Sequence, residues 1–220
     1  LSAQARRLCV LLVFGLLHSA FGWWGDILLN YALLGLLLLA LHKAPPRVVF
    51  GLALVVYVVA SVVSFLFDEW LVPASVASAE TLAYRAENVR LYATGSFWEI
   101  SVHRWDEAVL GFLMQWNWAY RLNTVAMGAF GLFVQRAGLL DDLGTKRRML
   151  GRAAAVLVPV GLGLCLVPQL YVPGGDVLAV AWATLFLWLG TGPRGAMLIR
   201  AFSPLGRCAI SGYLGQTLVF

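Results

Sequence analysis

The sequence predicts an all-α fold, a polytopic bundle of about seven transmembrane helices. Three observations carry this. Of 220 residues, 61% are apolar and 12% charged, with a mean hydropathy of +0.82, whereas soluble domains are about 45–50% apolar and about 25% charged. This excludes an ordinary soluble domain, and also disorder, which needs low hydrophobicity and high net charge. The apolar stretches run unbroken instead of alternating, which favours helices over an outer-membrane barrel. The basic residues are distributed asymmetrically once the stretches are threaded back and forth across a bilayer.

The stretches are Leu8–Trp24, Ile27–Leu41, Val48–Phe67, Leu113–Val134, Ala153–Val172, Val177–Leu189 and Leu205–Phe220. A spanning helix needs about 17–25 mostly apolar residues, so the second and sixth are short and draw on their flanks. With Arg6 and Arg7 inside, every Lys and Arg falls on the inner side except Arg85, Arg90 and Arg104 outside and Arg121 within a span. Positive residues hold loops in the cytoplasm, so this independent rule agrees with the threading. It also explains a net charge of +5 and a pI of 9.4 without nucleic acid, whose partners gather their basic residues on one face. The expected location is a bacterial inner membrane, with the start of the chain cytoplasmic and the lipid bilayer as the principal partner. The oligomeric state is open.

The chain reads as one transmembrane domain over residues 1–220. It begins at Leu1 and ends within an apolar stretch, so it is expected to be a fragment of a longer protein. A signal peptide (Arg6-Arg7, the apolar run to Leu17, then Ser19-Ala20) is the rival reading of its start. One long outer segment, Asp68 to Asp106, holds an expected interfacial amphipathic helix over Val76–Ala93, opened by Pro73 and Ser75 or Ser78 and broken by Gly95. A second short helix is expected from Phe97. Cys9, Cys165 and Cys208 fit neither zinc spacing nor a disulfide framework and read as small apolar residues.

His18 lies inside the first span, where an ionisable residue is a functional candidate. Gly15, His18, Gly22 and Asp26 share one face if the helix continues that far, and the glycines admit a close neighbour. Asp26 either orients the imidazole, as a carboxylate does for a catalytic histidine, or caps the second helix. Trp23 and Trp24 suit the interface, with Trp23 a candidate substrate contact, and Asn30 follows one turn beyond Asp26. Glu99, His103 and Glu107 share a face, suited to proton transfer or simply solvated. Glu99 is taken as a candidate acceptor contact. Arg121 either snorkels outward or grips an anionic substrate. Inside, Lys146, Arg147 and Arg148 either hold the phosphates of an acyl donor or set topology. No metal-ligand motif, phosphate loop, hydrolase triad or haem motif is present, and no permanently bound cofactor is expected.

Gly15-Leu-Leu-His18, Trp23-Trp-Gly-Asp26-Ile-Leu and Tyr31-Ala-Leu-Leu-Gly35 resemble the paired first spans of the YeiB family, bacterial polytopic membrane proteins with a domain of unknown function. Tyr92-Ala-Thr-Gly95-Ser96-Phe97-Trp98-Glu99, the stretch Leu122 to Gly138, and Gly206-Arg207-Cys-Ala209 with Tyr213 and Gln216 resemble its later motifs. The chain departs in lacking upstream spans and in having Gly212 where the family has Asn. The family is distantly similar to transmembrane acyltransferases, in which a membrane-embedded histidine helps move an acyl group from a cytoplasmic thioester to an outer acceptor. The resemblance implies this role for His18, acyl-CoA as co-substrate, and a glycan or lipid acceptor. A transporter or exporter of a small or lipidic solute uses the same polar residues to line a pathway. Pro159, Gly161, Gly163 and Pro168 in the fifth span would suit the broken helix of such a protein. A non-catalytic packing role is the third alternative.

Overall fold

The computed structural model describes residues 3–23, 26–67, 79–114, 118–167 and 170–216. Among the described residues all regular structure is helical. The helices are α1 (Ala3–Phe21), α2 (Leu28–Ala40), α3 (Pro46–Phe67), α4 (Ala79–Thr94), α5 (Phe97–Met114), α6 (Trp118–Arg136), α7 (Arg147–Cys165), α8 (Tyr171–Gly190), α9 (Gly195–Arg207) and α10 (Ala209–Gln216). The chain divides into two compact units, Leu1–Phe130 and Gly131–Phe220.

Among the described residues four helices are long and apolar enough to cross a membrane: α1, α3 over Pro46–Ser64, α7 and α8. Their packing is inverted relative to a soluble core. The buried apolar positions are mainly small, as at Ala53, Ala60, Ala154 and Ala181, while Val55, Val58, Val156 and Phe186 point outward. Close helix approach through small residues, with bulky residues left for lipid, is what a bilayer favours.

In the first unit α1 packs on α2 and α5. Gly15 makes the first contact: a Cβ there would lie 2.6 Å from the Leu29 backbone nitrogen. Helix α1 stops at Phe21, where Gly22 and Trp23 both donate to the His18 carbonyl at 2.8 Å. Pro46 opens α3, at a position where its missing N–H costs nothing. A helix forms within the expected stretch as α4, from Ala79 to Thr94, with Leu82 and Val89 exposed, while Pro73, Ser75, Val76 and Ser78 lie outside the described residues. Gly95 ends α4, donating to the Leu91 carbonyl at 2.8 Å, and α5 starts at Phe97 as expected.

In the second unit α7 and α8 form a tight hairpin. A Cβ at Gly161 would meet the Leu178 backbone at 3.0 Å, one at Gly174 the Cys165 nitrogen at 2.7 Å, and one at Gly151 the Trp188 indole at 2.7 Å. Helix α7 continues through Pro159, and Pro168 lies outside the described residues.

The structure departs from the expected spans in several places. The span expected over Leu113–Val134 starts within α5, which ends at Met114, and α6 begins at Trp118; the span expected over Ala153–Val172 crosses from α7, which ends at Cys165, into α8, which begins at Tyr171. Helix α2 has 13 residues, about 20 Å at ~1.5 Å per residue, against a hydrocarbon core of about 30 Å. The stretch expected as the seventh span is divided between α9 and α10, with a turn at Cys208. Pro204 lies within α9 and removes one backbone donor, and Gly206 and Gly212 weaken the helix on either side. Met197, Phe202 and Leu205 are exposed along α9, between Arg194, Arg200 and Arg207.

Candidate functional site

The first unit brings His18 and Asp26 together. His18 is 9% exposed and Asp26 5%, and His18 Nδ1 lies 2.9 Å from Asp26 Oδ1. They meet although α1 ends at Phe21, five residues before Asp26, so the two do not share a helical face. Asp26 comes back over His18 from the α1–α2 connection, of which Trp24 and Gly25 lie outside the described residues. Its second oxygen, Oδ2, accepts the Leu29 backbone N–H at 3.0 Å. Asp26 therefore does both things the sequence posed as alternatives: it orients the imidazole and it caps α2.

A carboxylate only accepts hydrogen bonds, so Nδ1 is the donor of this pair. The glycines frame this pair. A Cβ at Gly22 would stand 2.7 Å from the His18 ring carbon Cδ2, and one at Gly15 would stand 3.0 Å from Asp26 Oδ2. Seryl and alanyl neighbours complete the packing, with Ser19 and Ala20 buried.

One turn along α2, Asn30 lines a cavity of about 160 Å³ between α2 and α6. Arg121, Tyr120 and Thr124 of α6 line its other side, with Leu33 and Leu37 as the apolar wall. Two residues singled out separately in the sequence thus share one cavity. Trp23 is about half exposed beside the end of α1. Tyr120, the residue before Arg121, and Thr124, one turn after it, had no signal of their own.

Glu99 lies elsewhere, in a capping box that opens α5. The Ser96 N–H and hydroxyl each donate to Glu99 Oε2 at 2.7 Å, and the Glu99 N–H returns to Ser96 Oγ at 3.3 Å. The Ser96 backbone and hydroxyl donors hold the exposed Glu99 carboxyl below its usual range. The Ser-x-x-Glu spacing was the available signal. Arg104 also went unread: its Nη1 donates to the Phe21 carbonyl at 3.1 Å, closing the C-terminus of α1 from α5. Its guanidinium also stacks over Tyr92, 5.4 Å from the ring centre.

The basic residues belong to the second unit. Lys146 Nζ donates to the Gly138 carbonyl at 2.7 Å, which closes the turn where Gly138 has φ +65°. The Arg147 guanidinium lies over the Trp188 ring at 5.2 Å. Arg148 is exposed.

The fold and this geometry define an all-helical protein with membrane-length helices and a buried imidazole–carboxylate pair. Residues 134–220 match the model of a family described as a protein of unknown function, DUF418. The uncharacterized protein YxaH of Bacillus subtilis (strain 168) is 27% identical over 235 residues, covering 97% of this chain and 57% of its own length. The chain thus spans little more than half the length of that curated relative. No solved structure matches.

Proposed function

We propose that this is a YeiB-like multi-pass protein of a bacterial inner membrane, with its seven expected stretches membrane-embedded and its start cytoplasmic. It transfers an acyl group from a cytoplasmic acyl thioester to an extracytoplasmic glycan or lipid acceptor. The observation that supports the reading is the buried His18–Asp26 pair, with Nδ1 and Oδ1 at 2.9 Å.

With Nδ1–H directed at Asp26, Nε2 is the basic and nucleophilic nitrogen. It attacks the thioester carbonyl, the C–S bond breaks, and the thiolate leaves with the acyl group on Nε2. Asp26 stabilises the positive ring. The acceptor hydroxyl then attacks the acyl carbon, the C–Nε2 bond breaks with its electron pair returning to Nε2, Nε2 takes up the hydroxyl proton, and the imidazolium passes that proton on to the thiolate released in the first step. The products are one ester and one free thiol, with the imidazole regenerated. Asn30 and Arg121 supply an amide and a cation for the acceptor, and Trp23 an aromatic face at the interface. Lys146, Arg147 and Arg148 supply the charge that a phosphate-bearing donor such as acyl-CoA requires.

The test is reconstitution in liposomes with radiolabelled acetyl-CoA on the cytoplasmic-equivalent side. The expected result is label on the protein or on added glycans and lipids, lost in His18→Ala with insertion retained. Unchanged labelling in His18→Ala overturns the mechanism. Solute flux without covalent change replaces it with transport.

A further inference from the structure

Helix α9 has no part in the proposed chemistry, yet it separates apolar from polar residues more completely than any other described helix. Met197, Leu198, Ala201, Phe202 and Leu205 recur at helical spacing on one side, and Arg200, Ser203 and Arg207 on the other. Met197, Phe202 and Leu205 are 72%, 59% and 67% exposed. A soluble protein turns such a face to its core.

The end of α8 sets where this helix begins. Helix α8 has 20 residues, about 30 Å at ~1.5 Å per residue, which matches the hydrocarbon thickness of a bilayer. The chain then turns tightly over Thr191–Arg194. Thr191 Oγ1 shares its proton between the Leu187 and Trp188 carbonyls at 3.0 Å. The Gly192 N–H donates to the Leu189 carbonyl at 3.0 Å, and the Gly195 N–H to the Gly192 carbonyl at 2.9 Å. A Cβ at Gly195 would collide with the Gly190 carbonyl, so α9 starts hard against the end of α8. Beyond the turn the two helices touch over few residues, unlike α7 and α8. Helix α9 therefore does not fold back along α8, and its 13 residues, about 20 Å, are too short to recross the bilayer. Pro204 withholds the donor that the Arg200 carbonyl would receive in a helix. Water makes good that loss at an interface, and lipid tails do not.

Charge identifies the surface that α9 meets. Lys146, Arg147 and Arg148 stand at the start of α7, and Arg194, Arg200 and Arg207 follow α8, so all belong to one side of the hairpin. A Cβ at Gly192 would stand 3.2 Å from Arg147 Nη2, which brings the two groups together beneath the turn. Asp141 and Asp142 are the acids on this side, and Asp176 lies near the other end, in α8. Arg194, Arg200 and Arg207 are exposed. Guanidinium groups bind phosphate oxygens in pairs of hydrogen bonds, and the cytoplasmic leaflet is the anionic one.

We propose that α9 lies in the plane of the cytoplasmic leaflet, its Met197–Phe202–Leu205 face sunk to the acyl boundary and Arg200 and Arg207 holding the phosphates of anionic phospholipids. This rests on the topology proposed above, in which α8 ends on the cytoplasmic side, and not on the acyl transfer.

The experiment uses the full chain in vesicles of phosphatidylcholine and phosphatidylglycerol. Single cysteines replace Met197, Leu198, Arg200, Phe202, Ser203 and Leu205 in turn, in a Cys9→Ala, Cys165→Ala, Cys208→Ala background that melts like wild type. Each carries a nitroxide whose depth is read from its accessibility to oxygen and to a nickel chelate. Labels at 197, 198, 202 and 205 should lie about 5–10 Å into the headgroup and acyl boundary, and those at 200 and 203 in water. Depth that increases steadily along the helix makes α9 part of a span and overturns the proposal. Labels all in water overturn it, and labels screened from both reagents overturn it in favour of a protein partner or a second copy. A bimane on Phe202→Cys reports the lipid. Brominated phosphatidylglycerol should quench it more than brominated phosphatidylcholine at equal mole fraction, and Arg200→Gln and Arg207→Gln should each cut that preference by up to about fivefold. Equal quenching by the two lipids, or a preference that survives both substitutions, overturns the phosphate contacts. An impermeant maleimide should label Pro193→Cys in spheroplasts only after permeabilisation. Labelling of intact spheroplasts overturns the topology itself, whatever the depth pattern.

Discussion

Replacing Gly15 by alanine tests the packing that holds the His18–Asp26 pair. The added Cβ would lie 2.6 Å from the Leu29 nitrogen and 2.9 Å from its Cα, both backbone atoms of α2. Ordinary contact begins near 3.4 Å, so the start of α2 must retreat by about 0.8 Å. Asp26 is bonded to that same Leu29 N–H and moves with it. If the retreat opens the His18–Asp26 contact directly, its 2.9 Å becomes about 3.7 Å, past the hydrogen-bond range. Overpacking of this kind costs about 1–3 kcal/mol. Gly51→Ala is the control, because a Cβ there meets nothing within 4 Å and gains up to about 1 kcal/mol of helix propensity. For a chain of this size a difference of about 2 kcal/mol corresponds to about 4–8 °C. Thermal unfolding in detergent should place Gly15→Ala below wild type and Gly51→Ala at or above it. His18-dependent labelling should fall only in Gly15→Ala. Equal melting temperatures and equal labelling in the two variants would refute the reasoning.

Two further outcomes separate the roles of individual groups. Asp26→Asn keeps an oxygen to cap α2 but loses the negative charge beside the imidazole. Acyl transfer should drop by about 10²–10⁴-fold with little change in melting temperature, and an equal loss of stability would make Asp26 structural only. The Glu99 carboxyl titrates below its usual 4.5 because the Ser96 donors hold its charged form, and Arg90 holds Glu87 below 4.5 likewise. Depressed values mean that the stabilisation is fully present above pH 4.5 and is lost as pH falls through the folded values. Wild type should therefore lose melting temperature between neutral pH and pH 3 more steeply than Glu99→Gln. Parallel curves for the two proteins would rule out the contribution of Glu99.

Composition was enough to make the fold legible, because a chain this apolar has few ways to satisfy its backbone in lipid. The ends of spans were harder. Counting apolar residues from Leu205 onward gave a seventh helix, but the count does not register that Pro204 withholds a donor and that glycines dilute the turn around Cys208. His18 and Asp26 were legible as a pair by spacing, yet the reason given for their meeting was a shared helical face. The chain instead turns at Gly22 and returns, which no periodicity reveals. A spacing of four grouped Glu99 with His103 and Glu107. Position decided otherwise, since Glu99 stands three residues after Ser96 at a helix start, where the backbone donors are exposed. The cavity shared by Asn30 and Arg121 was hidden, since it depends on how α2 and α6 meet.

The divided loyalty of Asp26 has a thermodynamic consequence. One oxygen orients the buried imidazole while the other seats the helix that carries Asn30 and the wall of the cavity. Under the proposed function, a molecule in that cavity that tilted α2 would work against the carboxylate, and occupancy and imidazole orientation would be linked variables. Linkage runs equally in both directions: under that reading, acylation of the ring would also alter how well the cavity holds an acceptor. Loading and release would then follow from the reaction itself, without a separate gate.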